Sequence, residues 1–81
     1  MYTFNGHSSS VYSIIELKTG EIASGSYDKT IKIWDKQGKC LYTFNGHSHY
    51  VMSIIELKTG EIASGSADNT IKIWDKQGNC L

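Results

Sequence analysis

The sequence predicts an all-β fold built from two copies of one four-stranded antiparallel unit. Three observations predict it. Sliding the chain by 40 residues lays positions 2–41 on positions 42–81, and only six of these 40 positions differ. Within each copy, short runs of β-forming residues alternate with clusters of Gly, Asn, Asp and Lys that suit turns. No stretch of helical period has useful length, and the chain has no proline. A period of 40 residues is the mark of a solenoid, a propeller or a stacked array.

Each element of the repeat follows in order. Residues 11–17, Val-Tyr-Ser-Ile-Ile-Glu-Leu, are rich in β-branched and aromatic side chains and form the first strand. Lys18-Thr19-Gly20 turns the chain into a second strand at 21–26, where Ala23 and Gly25 keep one side small. Tyr27-Asp28-Lys29 is the next turn, and residues 30–35 alternate at period two as a third strand. Lys36-Gln37-Gly38 leads into a fourth strand at 39–44, and Asn45-Gly46-His47 opens the second repeat. In the first strand Val11, Ile15 and Leu17 are expected on one face and Tyr12 and Ile14 on the other; in the fourth, Leu41 opposes Tyr42 and Phe44.

Apolar residues on both faces mean that each sheet is covered on both sides. Two sheets can cover only two of their four faces against each other. Leaving about five large side chains bare on each remaining face forfeits on the order of 10 kcal/mol per face, comparable to a whole domain's stability. A closed ring of sheets resolves the conflict, and further copies of the same chain are the expected source of the missing sheets.

Charge and composition narrow the function. Eight lysines and eight acids balance, they never form a block, and arginine is absent. Neither the basic face of a nucleic-acid reader nor the polybasic cluster of an anionic-membrane binder is present, so neither partner is expected. No apolar run approaches the roughly 20 residues of a membrane span, and the first residues carry no signal-peptide pattern. Cys40 and Cys80 occupy equivalent places in the two repeats. Packed sheets lie about 10 Å apart, whereas a disulfide needs Cα atoms within about 7 Å, so both read as free thiols in a reducing, cytoplasmic setting.

Gly6-His7 and Gly46-His47, Ser24-Gly25-Ser26-Tyr27-Asp28 and Ser64-Gly65-Ser66-Ala67-Asp68, and Trp34-Asp35 and Trp74-Asp75 together resemble WD40 repeats over essentially the whole chain. The resemblance implies four-stranded β-propeller blades, two per chain. It also implies that His7, Ser24, Asp28 and Trp34 form a hydrogen-bonded tetrad in one blade, and that His47, Ser64, Asp68 and Trp74 do so in the other. The chemistry suits such a tetrad. A buried indole N–H needs an acceptor, a hydroxyl relays, and an imidazole bridges hydroxyl to carboxylate.

Other chemistries built from the same residues are weaker. Ser, His and Asp invite comparison with a hydrolase triad, but a nucleophile needs exposure, an oxyanion hole and a pocket. This serine lies mid-strand and its group occurs in both repeats. His47-Ser48-His49 could place two imidazoles on one face, yet no cysteine or carboxylate ligand lies near in sequence. No glycine-rich phosphate loop is present. The expectation is therefore no catalysis, no metal and no cofactor.

The ends of the chain suggest how a ring closes. Residues 79–81 match 39–41, the first half of the fourth strand, and residues 2–4 match 42–44, the second half. The last residues of one copy and residues 2–4 of the next would rebuild one strand. The domain is then 1–81, two blades of residues 2–41 and 42–81. Two-blade chains give only even blade numbers: six for a trimer, eight for a tetramer and ten for a pentamer. The tetramer is favoured because propellers typically have about four to eight blades.

The six differing pairs are Ser9/His49, Ser10/Tyr50, Tyr12/Met52, Tyr27/Ala67, Lys29/Asn69 and Lys39/Asn79. All but the last surround the Gly-His loop, the start of the first strand and the second turn, which share one rim in a WD40-like blade. The resemblance makes Ser10, Tyr12, Tyr27, Tyr50, Met52 and Ala67 the ligand-facing positions. Tyrosine and methionine supply adaptable apolar area for a protein or peptide partner. The expected function is a self-assembling, protein-binding platform. The alternative is an excised or engineered repeat fragment whose only activity is assembly, which the near-identity of the repeats favours. A sugar-binding ring has only the tyrosines to recommend it.

Overall fold

The computed structural model describes residues 6–81. The first repeat forms β1 (Val11–Glu16), β2 (Ile22–Ser26), β3 (Thr30–Trp34) and β4 (Cys40–Asn45). The second forms β5 (Val51–Glu56), β6 (Ile62–Ser66) and β7 (Ile71–Trp74). Each sheet is an antiparallel meander with its strands in chain order, β1-β2-β3-β4 and β5-β6-β7. The strand expected beside β7 is reduced, among the described residues, to the bridge Trp74↔Cys80. The expected pairing of residues 2–4 with a neighbouring copy lies outside the described residues.

The turns carry out what their residues predict. Gly20 and Gly60 take φ of 91° and 93°, and their N–H groups close onto Leu17 and Leu57 carbonyls at 2.9 Å. A side chain at that φ is strained, so glycine suits the position. Asp35 Oδ1 accepts from the N–H groups of Gln37 and Lys39, each at 2.9 Å, and fixes the β3–β4 turn. Asp75 repeats this with Gln77 and Asn79 at 3.0 and 2.9 Å.

The sheets meet along one seam. β1 and β2 pack against β5, and at Gly25 an added Cβ would lie 2.6 Å from Val51 Cγ1. Ala23, Ile31, Ile33 and Phe44 of the first sheet and Val51, Ile54, Ile62 and Trp74 of the second form one core. Phe44 stacks on Trp74 with ring centroids 5.4 Å apart.

One expectation about facing is corrected. The register slips between Val11 and Ser13, and again between Val51 and Ser53, as a β-bulge. The extra residue shifts the alternation by one. Val51 therefore shares a buried face with Ile54, while Ile55 is exposed. By equivalence Val11 goes with Ile14, not with Ile15 and Leu17.

Each sheet has one covered face and one open face. Ile14 is 66% exposed while its repeat-equivalent Ile54 is 2% exposed. Ile71 is 78% exposed while its equivalent Ile31 is fully buried. The same side chains are core in one repeat and surface in the other. Each is worth about 1.5–3 kcal/mol when buried.

Candidate functional site

The predicted tetrads form in both repeats. Trp34 Nε1 donates to Ser24 Oγ at 2.8 Å, and the Ser24 hydroxyl lies 2.6 Å from His7 Nε2. His7 Nδ1 is 2.9 Å from Asp28 Oδ2. The indole N–H can only donate and the carboxylate can only accept, so Nδ1 carries a proton toward Asp28, and in the neutral ring Nε2 then accepts from the serine hydroxyl. The second repeat matches: Trp74 to Ser64 at 2.7 Å, Ser64 to His47 at 2.6 Å, and His47 to Asp68 at 3.0 Å. The glycine before each histidine has a steric role. A Cβ on Gly6 or Gly46 would lie 2.7 Å from the tip of Trp34 or Trp74.

The carboxylates are pulled far toward their charged form. Burial alone pushes the Asp28 carboxyl up. Hydrogen bonds from the Thr30 and His7 side chains and from the N–H groups of Ser8 and Thr30 outweigh it and hold the carboxyl at about 2. Asp68 lies well below the ordinary carboxylate range, chiefly through the Thr70 hydroxyl, against a push upward from burial and with help from His47, Ser48 and Thr70 N–H. These groups anchor the loop before the first strand to the second turn. Ser24 and Ser64 are buried, and each hydroxyl is engaged by indole and imidazole. Each chain of hydrogen bonds runs from indole through hydroxyl and imidazole to carboxylate.

Sequence reasoning missed several members of this network. Ser26 Oγ donates to the Ser10 carbonyl at 2.8 Å and accepts from Asp28 N–H at 3.1 Å. Thr30 and Thr70 donate to Asp28 and Asp68. The signal was present as a Ser-x-Asp-x-Thr spacing in both turns. Among the described residues no group of three or more His, Cys, Asp or Glu comes together to hold a metal.

Of the rim positions, Tyr12, Tyr27 and Tyr50 come together at the seam. Tyr27 N–H donates to the Ser10 carbonyl at 2.9 Å, and Ala67 N–H to the Tyr50 carbonyl at 3.1 Å, so the loop, first strand and second turn do share an edge in each repeat. Tyr27 of the first repeat stacks on Tyr50 of the second, with centroids 3.9 Å apart and planes 13° from parallel. Tyr12 meets Tyr27 edge-on at 4.3 Å, and their hydroxyls hydrogen-bond, which raises the Tyr27 pKa above its usual value. His49 meets Tyr50 edge-on at 4.3 Å. Tyr12 and Met52 are about half exposed, Ser10 is exposed, and Tyr27, Tyr50 and Ala67 are half-buried.

The opposite edge of the seam has a groove of about 190 Å³ lined by Leu17, Ile33, Tyr42 and Phe44 with Glu56 and Lys76. It is smaller than the roughly 300 Å³ at which small-molecule pockets begin.

The chain is similar to the repeat described as WD domain, G-beta repeat, whose family model matches residues 1–35 and 38–75. A search of curated proteins gives no match.

Proposed function

The chain belongs to the WD40-repeat family, and from that premise we propose that it is a non-catalytic, self-assembling propeller module whose rim binds proteins or peptides. WD40 repeats are interaction scaffolds in general; assembly and rim binding are the specific reading for this chain.

One observation carries the assembly. The open face bearing Ile14 duplicates the face through which Ile54 enters the seam, and the open face bearing Ile71 duplicates the face on which Ile31 lies. The seam inside the chain is thus a template for a seam between chains. A second copy presents the complementary face in the correct register, and repeating the contact head to tail generates a ring. A strand from the neighbouring copy would also cover the outer edge of β7, as β4 covers β3. A tetramer with eight blades is favoured, with a trimer or pentamer as alternatives.

Native mass spectrometry over a dilution series tests this. The expected species is about 36 kDa, four times the 9.0 kDa chain. Gly65→Val separates assembly from folding. A Cβ at Gly65 meets nothing within 4 Å in the single chain, whereas one at the equivalent Gly25 would lie 2.6 Å from Val51 Cγ1. The variant should keep its β-sheet spectrum but run at 9.0 kDa. A wild-type chain that stays at 9.0 kDa at every concentration removes the assembly reading.

The rim reading is supported by the clustering of repeat differences around Ser10, Tyr12 and Tyr27 and around Tyr50, Met52 and Ala67. The near-identity of the repeats elsewhere favours a second reading, a repeat fragment whose only activity is to assemble.

A further inference from the structure

We propose that assembly creates a notch at the rim of each seam between copies that accepts an aromatic side chain of a protein partner. It would be lined by Met52 and Ala67 of one copy and Ser9 and Ser10 of the next. This rests on the assembly reading above and names what its rim would recognise.

The seam inside the chain shows what belongs in that space. There Tyr12 and Tyr27 of one repeat face His49 and Tyr50 of the other, and every one of these rings touches another ring of the group. The tyrosines are engaged with one another and close the rim. The 40-residue offset then dictates the composition of the next seam. Tyr12 becomes Met52, Tyr27 becomes Ala67, His49 becomes Ser9 and Tyr50 becomes Ser10. Four of the six differences between the repeats therefore fall on one contact, and they replace every ring in it by a smaller or unbranched side chain.

The backbone frame stays the same. The N–H at position 27 bonds the carbonyl at 10 just as the N–H at 67 bonds the carbonyl at 50. Where the seam between copies repeats the seam inside the chain, the two frames meet as they do there with the stacked Tyr27–Tyr50 pair absent, and the space left corresponds to those rings. Its walls have matching chemistry: a polarizable thioether that favours ring contacts, a methyl group, and two hydroxyls that can bond a phenol. The occupant indicated is a tyrosine- or phenylalanine-type side chain carried on another protein. The closed seams inside each chain would not take it, so the ring would offer one notch per chain.

The test follows the ¹³C-labelled methyl groups of Met52 and Ala67 by NMR in the assembled chain while N-acetyl-L-tyrosinamide is added. Saturable ring-current shifts of both methyls are expected. N-acetyl-L-leucinamide should produce none, and equal shifts from it would overturn the aromatic preference. The double variant Ser10→Tyr, Ala67→Tyr installs the stacked pair between copies. It should keep or raise the assembled mass and abolish the Met52 shift; an unchanged Met52 shift in that variant overturns the notch. An assembled chain with silent methyls overturns the notch alone. A 9.0 kDa species at the NMR concentration overturns the notch together with the assembly on which it rests.

Discussion

At the scale of single residues, the stability of each repeat depends on four side chains drawn from distant parts of its sequence. Ser24 is the hinge of the relay, because its hydroxyl bonds both the indole and the imidazole. Ser24→Ala removes the hydroxyl that Trp34 Nε1 donates to and deprives His7 Nε2 of its donor. Loss of a buried polar partner costs about 1–3 kcal/mol, so the midpoint of thermal or urea unfolding should fall; an unchanged midpoint would remove the tetrad's structural role. The carboxylates make a second prediction. Asp28 titrates at about 2 in the folded chain against 3.8 ordinarily, so the unfolded state binds the proton more readily. Its contribution to stability is full above the unfolded value and is lost as pH falls through the folded one. Asp68 shifts in the same direction. Unfolding midpoints should hold steady from neutral pH to about 4 and drop between there and about 2, and Asp28→Asn should flatten that drop. The tetrad was legible in the sequence through the resemblance of its motif residues to WD40 repeats. The threonine and serine that hold Asp28 were missed although their Ser-x-Asp-x-Thr spacing recurs, because hydroxyls in turns rarely reveal which neighbour they bond.

At the scale of elements, the strands emerge where the β-forming runs place them, within a residue at each end. What the pattern alone misassigns is a face. The bulge at the start of β1 and β5 moves Val11 and Val51 to the side of Ile14 and Ile54, and simple alternation cannot register an inserted residue. Gly25 shows how an element is fitted to its neighbour. Its missing side chain lets β2 approach β5, and a Cβ there would lie 2.6 Å from Val51 Cγ1. Gly25→Ala should therefore destabilise the chain by about 1–3 kcal/mol, read as a lower chemical-denaturation midpoint. Gly65→Ala should leave the single chain unchanged, since its equivalent space is open. Measured on the monomer at high dilution, equal effects of the two would mean that the seam is not closely packed at β2.

At the scale of the whole molecule, a chain of extents 36 × 29 × 16 Å carries two sheets and two uncovered apolar faces. The proposed assembly would cover these faces, and the dilution series and Gly65→Val test it at this scale. The sequence by itself determined the all-β class, the repeat, the strands and the turns, and its resemblance to WD40 repeats pointed to the tetrads. These depend on local pattern and on residues that recur at the same spacing in both copies. Tertiary structure alone decided which copy of each residue is core. Ile14 and Ile54 are the same residue in the same local sequence, yet one is exposed and the other is buried. Burial is a property of the neighbour, and here the first repeat's β1 and β2 pack against the second repeat's β5. The stacking of Tyr27 on Tyr50 was decided in the same way. The two rings belong to different repeats, and their contact exists because the sheets pack in one particular register.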